Sequence, residues 1–296
     1  MSRAEWLRER QLGLGGSDLG QIPSIVEAVG GDPAVDCSPW GGEWHVWASK
    51  RGEPEEGNDS PQMAIGRWLE GPILEWARDE LGAVSCTAHV ASVAHSIAPL
   101  RATPDGVIMY GTTAQDDRTE GVECKVAHGF RVWDDPPLYY QLQARACMAV
   151  LDMPGWHIAA FFRSIPARRI YTIHRDLDIE RRMLNAVTTW WDRHIIDEEP
   201  PEVDDSVKCT RALARLHPRE AGTSYADLRV ATDNEIALCG DIARLESVIA
   251  DIATDARRQR NVLRASIGDA AGLRWAGGKA KWSRNRLKIT IEGEES

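Results

Sequence analysis

Phenylalanine is scarce here, with three in 296 residues against twelve tryptophans and five tyrosines, and the tryptophans are scattered without marking a repeat. No apolar run approaches the roughly 20 residues that a membrane helix needs. The charged start, MSRAEWLRERQ, lacks the apolar stretch of a secretory leader. A soluble cytoplasmic protein is the expectation. Cysteine is sparse too. The six, Cys37, Cys86, Cys124, Cys147, Cys209 and Cys239, contain no C-x-x-C pair and no histidine at zinc-finger spacing. Reduced, mostly buried thiols are expected, rather than zinc or an iron–sulfur cluster. Cations are outnumbered, with 35 Lys and Arg against 45 Asp and Glu, a formal charge of -10. Nucleic-acid binders need local positive charge, because phosphate neutralisation supplies much of their affinity. An acidic chain meets that need only by gathering cations along one groove. Clusters stand at Arg3, Arg8 and Arg10; Arg163, Arg168 and Arg169; Arg257, Arg258 and Arg260; and Lys279 to Lys288. Each by itself is most simply a solvated face.

What is present is enough apolar residue, 43% of the chain, for one large domain or a domain with an appendage. A short helix over 4–10 leads into the turn Gly13-Leu-Gly-Gly-Ser17, and Ser17 with Asp18 is suited to cap a second helix. Residues 30–62 are rich in Gly, Pro and charge, apart from a helix over 43–51. Trp68, Leu69, Ile73, Trp76 and Leu81 form the stripe of a helix over 65–81, which Pro72 either begins or kinks. Strands at 106–110 and 121–126 flank the polar stretch GTTAQDDRTE, a hairpin connection. A helix over 137–150, strands at 156–163 and 168–174, and a helix over 177–197 follow. This order predicts an α/β (α+β) domain over 1–200, with a central mixed sheet flanked by helices. Residues 201–230 show no period and read as linker. In 231–296, Leu238, Ile242, Leu245, Ile249, Ile252 and Ala256 step by four and three. A coiled-coil seam and an amphipathic helix packed on its own domain fit this spacing equally. A short β tail, at 273–276 and 287–291, ends the chain.

The chemistry concentrates in Thr103-Pro-Asp-Gly106 and Val122-Glu-Cys-Lys125. Residues two apart on a strand share a face, so Glu123 and Lys125 emerge side by side. Asp105, at the start of the neighbouring strand, can reach the same edge. Two carboxylates with the backbone carbonyl of Cys124 make an oxygen-only site for Mg²⁺. Lys125 beside it suits an attacking water or the charge of a phosphoryl transition state. On these residues alone, a surface hairpin closed by a salt bridge fits slightly better.

Three further motifs tip the balance: Gly66-Arg-Trp-Leu-Glu70, Tyr139-Tyr-Gln-Leu-Gln143 and Arg10-Gln-Leu-Gly-Leu-Gly-Gly-Ser17. With the Asp/Glu/Lys set, in this order and over about residues 6–150, they resemble the YqaJ-type viral recombinase family, the lambda-exonuclease-like branch of the PD-(D/E)XK nucleases. The resemblance implies a restriction-endonuclease-like fold. It implies a Mg²⁺-dependent exodeoxyribonuclease, with Mn²⁺ as a substitute, that degrades one strand of duplex DNA 5′-to-3′ for phage-type recombination. It makes Asp105, Glu123, the Cys124 carbonyl and Glu70 the metal site, Lys125 the catalytic lysine, and Gln141 the residue that steadies the water or lysine. Gln143 is expected to be structural. Arg10, Ser17 and Thr103 would receive a 5′-phosphate. The implied partners are double-stranded DNA ends, further copies of the chain and a single-strand annealing protein. Gly15 and Gly16 depart from relatives that bring a hydroxyl there, and 41–61 matches poorly. A PD-(D/E)XK repair or defence endonuclease, and a non-catalytic DNA-end or partner-binding module, are the alternatives. His89, His95, His128, His157 and His174 lack a paired ligand pattern, and Trp190-Trp191 suits core packing.

Overall fold

A computed structural model describes residues 9, 11–52, 60–88, 91–111, 118–129, 131–217, 228–284 and 286–291. Of the helix expected over 4–10, Glu9 is described and helical; the rest, with Arg10, lies outside the described residues. The chain divides into two units, Met1–Arg219 and Glu220–Ser296.

The first unit is built on a five-stranded mixed sheet. Strands β2 (Ser85–Ala88), β5 (Gly106–Met109), β6 (Thr119–Ala127), β7 (Gly155–Phe162) and β8 (Ala167–His174) lie in that spatial order. Only β6 and β7 pair in parallel; the other neighbours are antiparallel. Helix α5 (Pro61–Glu80) covers one face and α6 (Leu138–Leu151) the other. Alternation along the strands sorts the side chains. Val122 and Ala159 pack with Ile73, Leu74 and Ala77 of α5, while Ala127, Trp156, Ile158 and Phe162 pack with Ala144, Cys147 and Met148 of α6. Glu123 and Lys125 therefore emerge on the α6 side.

A small sheet joins β1 (Leu14–Gly15), β4 (Leu100–Ala102) and β3 (Val93–Ala94), with β1 parallel to β4 and Gly15 beside Arg101. It ties the glycine turn to the segment that enters β5. Four helices intervene around the turn: α1 (Gly16–Leu19), α2 (Pro23–Ala28), α3 (Pro33–Asp36) and α4 (Glu43–Lys50). Pro72 lies inside a continuous α5. Helix α7 (Leu177–Trp191) ends in a π-turn, Asp192–Ile196.

Two local differences from the sequence reading have plain causes. Gly15 caps α1, and the carboxylate of Asp18 accepts the Gly15 N–H at 2.8 Å, so Ser17 stands inside the first turn with its side chain exposed. The stretch read as linker carries α8 (Val207–Leu216), capped by Ser206, whose Cys209 and Ala212 are buried in the core.

The second unit holds α9 (Asp233–Ile267), opened by a Thr232–Glu235 capping box and closed at Gly268, where φ is 55°. Strands β9 (Gly272–Trp275), β10 (Gly278–Ser283) and β11 (Arg286–Ile291) form an antiparallel meander, one strand more than expected. No described helix is long and apolar enough to cross a membrane.

Gly121 tests how tightly the central sheet is packed, since a Cβ there would fall 2.1 Å from the Trp156 ring. Gly121→Ala should cost about 1–3 kcal/mol and lower the thermal midpoint by roughly 3–10 °C. An unchanged midpoint in a scanning-calorimetry comparison would show that the indole moves aside freely.

Candidate active site

The site forms where β5 and β6 meet the face of α6. The Cys124 N–H donates to Asp105 Oδ2 at 2.8 Å, which holds the Asp105 carboxylate beside β6. Lys125 Nζ donates to Glu123 Oε1 at 2.7 Å and to Gln143 Oε1 at 2.9 Å. Gln143 Nε2 closes the triangle on Glu123 Oε1 at 2.5 Å. The ring of Tyr140 lies under the ammonium, 4.8 Å from Nζ to its centroid. Glu123 is 1% exposed, and its other oxygen, Oε2, is buried without a hydrogen-bond partner.

Of the two glutamines, the structure brings Gln143 to Lys125 and Glu123, where the sequence reading expected Gln141. Gln141 donates its amide to the Pro136 carbonyl at 2.7 Å, and Gln143, expected to be structural, meets Lys125 and Glu123. Two residues on a helix are about 200° apart, so one α6 phase cannot bring both to the same point. The sequence held a signal: Gln141 shares its face with Arg145 one turn on, whereas Gln143 shares its face with Cys147, which is buried. Glu70 lies on α5, and its backbone carbonyl is 3.8 Å from the Cys124 thiol, on the sheet face opposite Glu123.

Ser17 and Thr103 do come together. They line a cavity of about 190 Å³ with Gly15, Gly16, Arg101 and Gln143. A Cβ on Gly16 would sit 3.2 Å from Gln143 atoms, so the bare glycine lets the turn close on α6. Arg101, which sequence reading does not single out, lines the same cavity. It bonds Glu9 at 3.3 Å, and its buried Nε has no hydrogen-bond partner. The turn itself is anchored by another unforeseen pair, Lys50 Nζ to Asp18 Oδ2 at 2.6 Å, both nearly fully buried.

No protein-family model matches the chain. The uncharacterized protein YqaJ of Bacillus subtilis (strain 168) is 23% identical over 278 residues, covering 91% of this chain and 80% of YqaJ. The chain is YqaJ-like in sequence. Among solved structures it is similar to an alkaline exonuclease (LHK-Exo) from Laribacter hongkongensis, with TM-score 0.48 and 17% identity over 72% of this chain and 99% of that one. It is also similar to a phage-related exonuclease from Haemophilus somnus 129PT, with TM-score 0.44 and 12% identity over 66% of this chain and 100% of that one.

Electrostatics in this YqaJ-like chain follow from burial. Desolvation first, and the Asp105 carboxylate second, push the Glu123 carboxyl up to about 8 against the pull of Lys125. Burial alone would lower the Lys125 ammonium, but Glu123 and Asp105 more than reverse it and keep the lysine charged. Burial, with Asp105, Glu123 and Glu70 nearby, holds the Cys124 thiol well above its usual range, so only its carbonyl is a candidate ligand. Among the described residues no three His, Cys, Asp or Glu side chains gather as a metal cluster. The set offered is Asp105, Glu123 with its orphaned Oε2, and the Cys124 carbonyl. That oxygen set fits a hard cation such as Mg²⁺, which typically takes one or two carboxylates and keeps several waters.

The raised Glu123 carboxyl has a signed consequence for stability. The folded protein binds this proton more tightly than the unfolded chain, so stability should fall as pH rises from about 4.5 to about 8 in chelator. Glu123→Gln should flatten that part of the midpoint-against-pH curve. Mg²⁺ should raise the wild-type midpoint more at pH 8 than at pH 6, and leave the variant unmoved. Parallel curves for the two proteins would contradict the assignment.

Proposed function

We propose that the chain is a Mg²⁺-dependent deoxyribonuclease that degrades one strand of linear duplex DNA from its end, 5′-to-3′, leaving single strand for recombination. The observation that carries this reading is the gathering of Asp105, Lys125 and Gln143 about Glu123, whose Oε1 takes both side-chain donors while its buried Oε2 is left with none. The motif resemblance to the YqaJ-type recombinases and the likeness to YqaJ along most of the chain support it.

Asp105, Glu123 and the Cys124 carbonyl would hold the cation, which when bound polarises a phosphoryl oxygen. Lys125, kept protonated between Glu123 and Gln143, presents N–H donors to the negative charge that builds as a water oxygen bonds to phosphorus and the sugar oxygen departs. Gln143 fixes that ammonium from the side opposite the strand backbone and is a positioning residue. The cavity of Ser17, Thr103 and Arg101 suits a terminal phosphate, whose extra charge a guanidinium can engage bidentately.

Digestion of end-labelled linear DNA in Mg²⁺, beside a circular control, tests the reading. Mononucleotides from linear substrate alone are expected; internal fragments would indicate an endonuclease, and no products a binding module. Asp105→Ala and Glu123→Ala should each lower turnover by about a thousandfold, the several kcal/mol that a misplaced cation costs. Gln143→Ala should lower it roughly tenfold or more while Gln141→Ala stays near wild type, and the reverse order would restore Gln141 to the site. Arg101→Gln should slow digestion of 5′-phosphorylated duplex and barely affect the 5′-hydroxyl form. Equal slowing of both would reassign Arg101 to general backbone binding.

For the second unit we propose self-association through α9. Leu238, Ile242, Leu245, Ile249 and Ile252 are 47–65% exposed, in a row at coiled-coil spacing. The double variant Ile242→Lys/Ile249→Lys should reduce the mass seen by light scattering, and an unchanged mass would leave the row without an assembly role.

A further inference from the structure

The acidic chain gathers cations on one face of α8. Lys208, Arg211 and Arg215 stand there with no acid anywhere in Val207–Leu216. Spacings of three and four place the three along one side of the helix. The adjoining side buries Cys209 and Ala212 in the core, which fixes how the helix is turned.

All three cations border a cleft of about 840 Å³ that also reaches Lys125 and Gln143. Arg163, just past β7, borders it as well. Lys208 to Arg215 extends about 10 Å along the helix axis. That is too long for one small anion to bridge, and it suits a chain of phosphates. The cleft lies in the size range of ligand pockets, roughly 300–1,000 Å³, and has room for a few nucleotides of one strand. Trp40, 61% exposed, borders the cleft and offers a ring on which a base can stack without regard to sequence.

We propose that the cationic side of α8, with Trp40, is a single-strand-holding wall that carries the DNA backbone between solvent and the Lys125 site, an assignment that rests on the nuclease reading. It also reconciles a charge of -10 with a polyanionic substrate, since attraction is needed only along this wall.

Anisotropy of a labelled single-stranded oligonucleotide, with the full chain in chelator to prevent cleavage, tests it. Lys208→Gln/Arg211→Gln/Arg215→Gln should raise Kd at least tenfold and lower the slope of log K against log salt by about 2, near 0.7 per lost phosphate contact. Arg211→Lys/Arg215→Lys keeps the charge and should retain most of the slope, which guards against a variant that merely fails to fold. Trp40→Ala should weaken binding several-fold at an unchanged slope. Replacing Arg257, Arg258 and Arg260 with Gln should alter neither quantity. Wild-type Kd and slope in the triple variant, wild-type Kd in Trp40→Ala, or loss confined to the 257–260 variant would each overturn the assignment. A wild-type protein that binds and cuts DNA while the triple variant matches it defeats only this wall. A wild-type protein that neither binds nor cuts DNA defeats the nuclease reading and the wall with it.

Discussion

A carboxylate buried beside another carboxylate is costly, and the folded chain holds Glu123 in that position. Lys125 and Gln143 both turn to Oε1, leaving Oε2 inside the protein with no donor. Desolvation and like charge act together there, and both raise the affinity of the carboxyl for its proton. Apolar residues of similar volume would pack such a place at lower cost. The arrangement makes sense if a hard cation is meant to displace the proton, taking up the oxygen that no protein group satisfies.

Much of the first unit serves this point. The strand period splits β6, so that Val122, Cys124 and Val126 lie on the α5 side while Glu123 and Lys125 face α6. Helix α6 contributes its glutamine, and the glycine turn closes against the same helix face because Gly16 has no Cβ to obstruct it. The buried pair of Asp18 and Lys50 fixes the turn, and the β1–β4 pairing sets it beside Arg101 and Thr103. Glu123, Lys125 and the cavity of Ser17 and Thr103 thus share their supports, and a shift of α6 would disturb all three.

Long periodic elements were legible in the sequence. The alternation through 121–126, the stripe of 65–81 and the apolar blocks at 137–150 and 156–174 each lie within a few residues of the observed bounds. What escaped is short or built from small residues. Strands β1, β3 and β4 have two or three residues each, too few to show a period. Helix α8 is only ten residues long, and its apolar side of Cys209, Ala212, Leu213 and Leu216 is too short to show a period among the cations, so it looks like linker. Lys279 and Lys281 disguise β10 in the same way. At the site, Asp105, Glu123 and Lys125 could be brought together from strand geometry, but the choice between Gln141 and Gln143 depends on the rotation of α6. Arg101 and Lys50 depend on pairings between distant segments, which no local pattern records.

If Glu123 gives up a proton to a cation, the exchange can be counted. Calorimetric titration of Mg²⁺ or Mn²⁺ into the protein at pH 7, repeated in buffers of different ionisation enthalpy, reports the protons released per cation bound. Burial and the neighbouring Asp105 carboxylate raise the affinity of the Glu123 carboxyl for its proton, so cation binding should release protons from the wild type and fewer from Glu123→Gln. Binding that releases no proton, or that survives unchanged in the variant, would contradict a metal site built on Glu123.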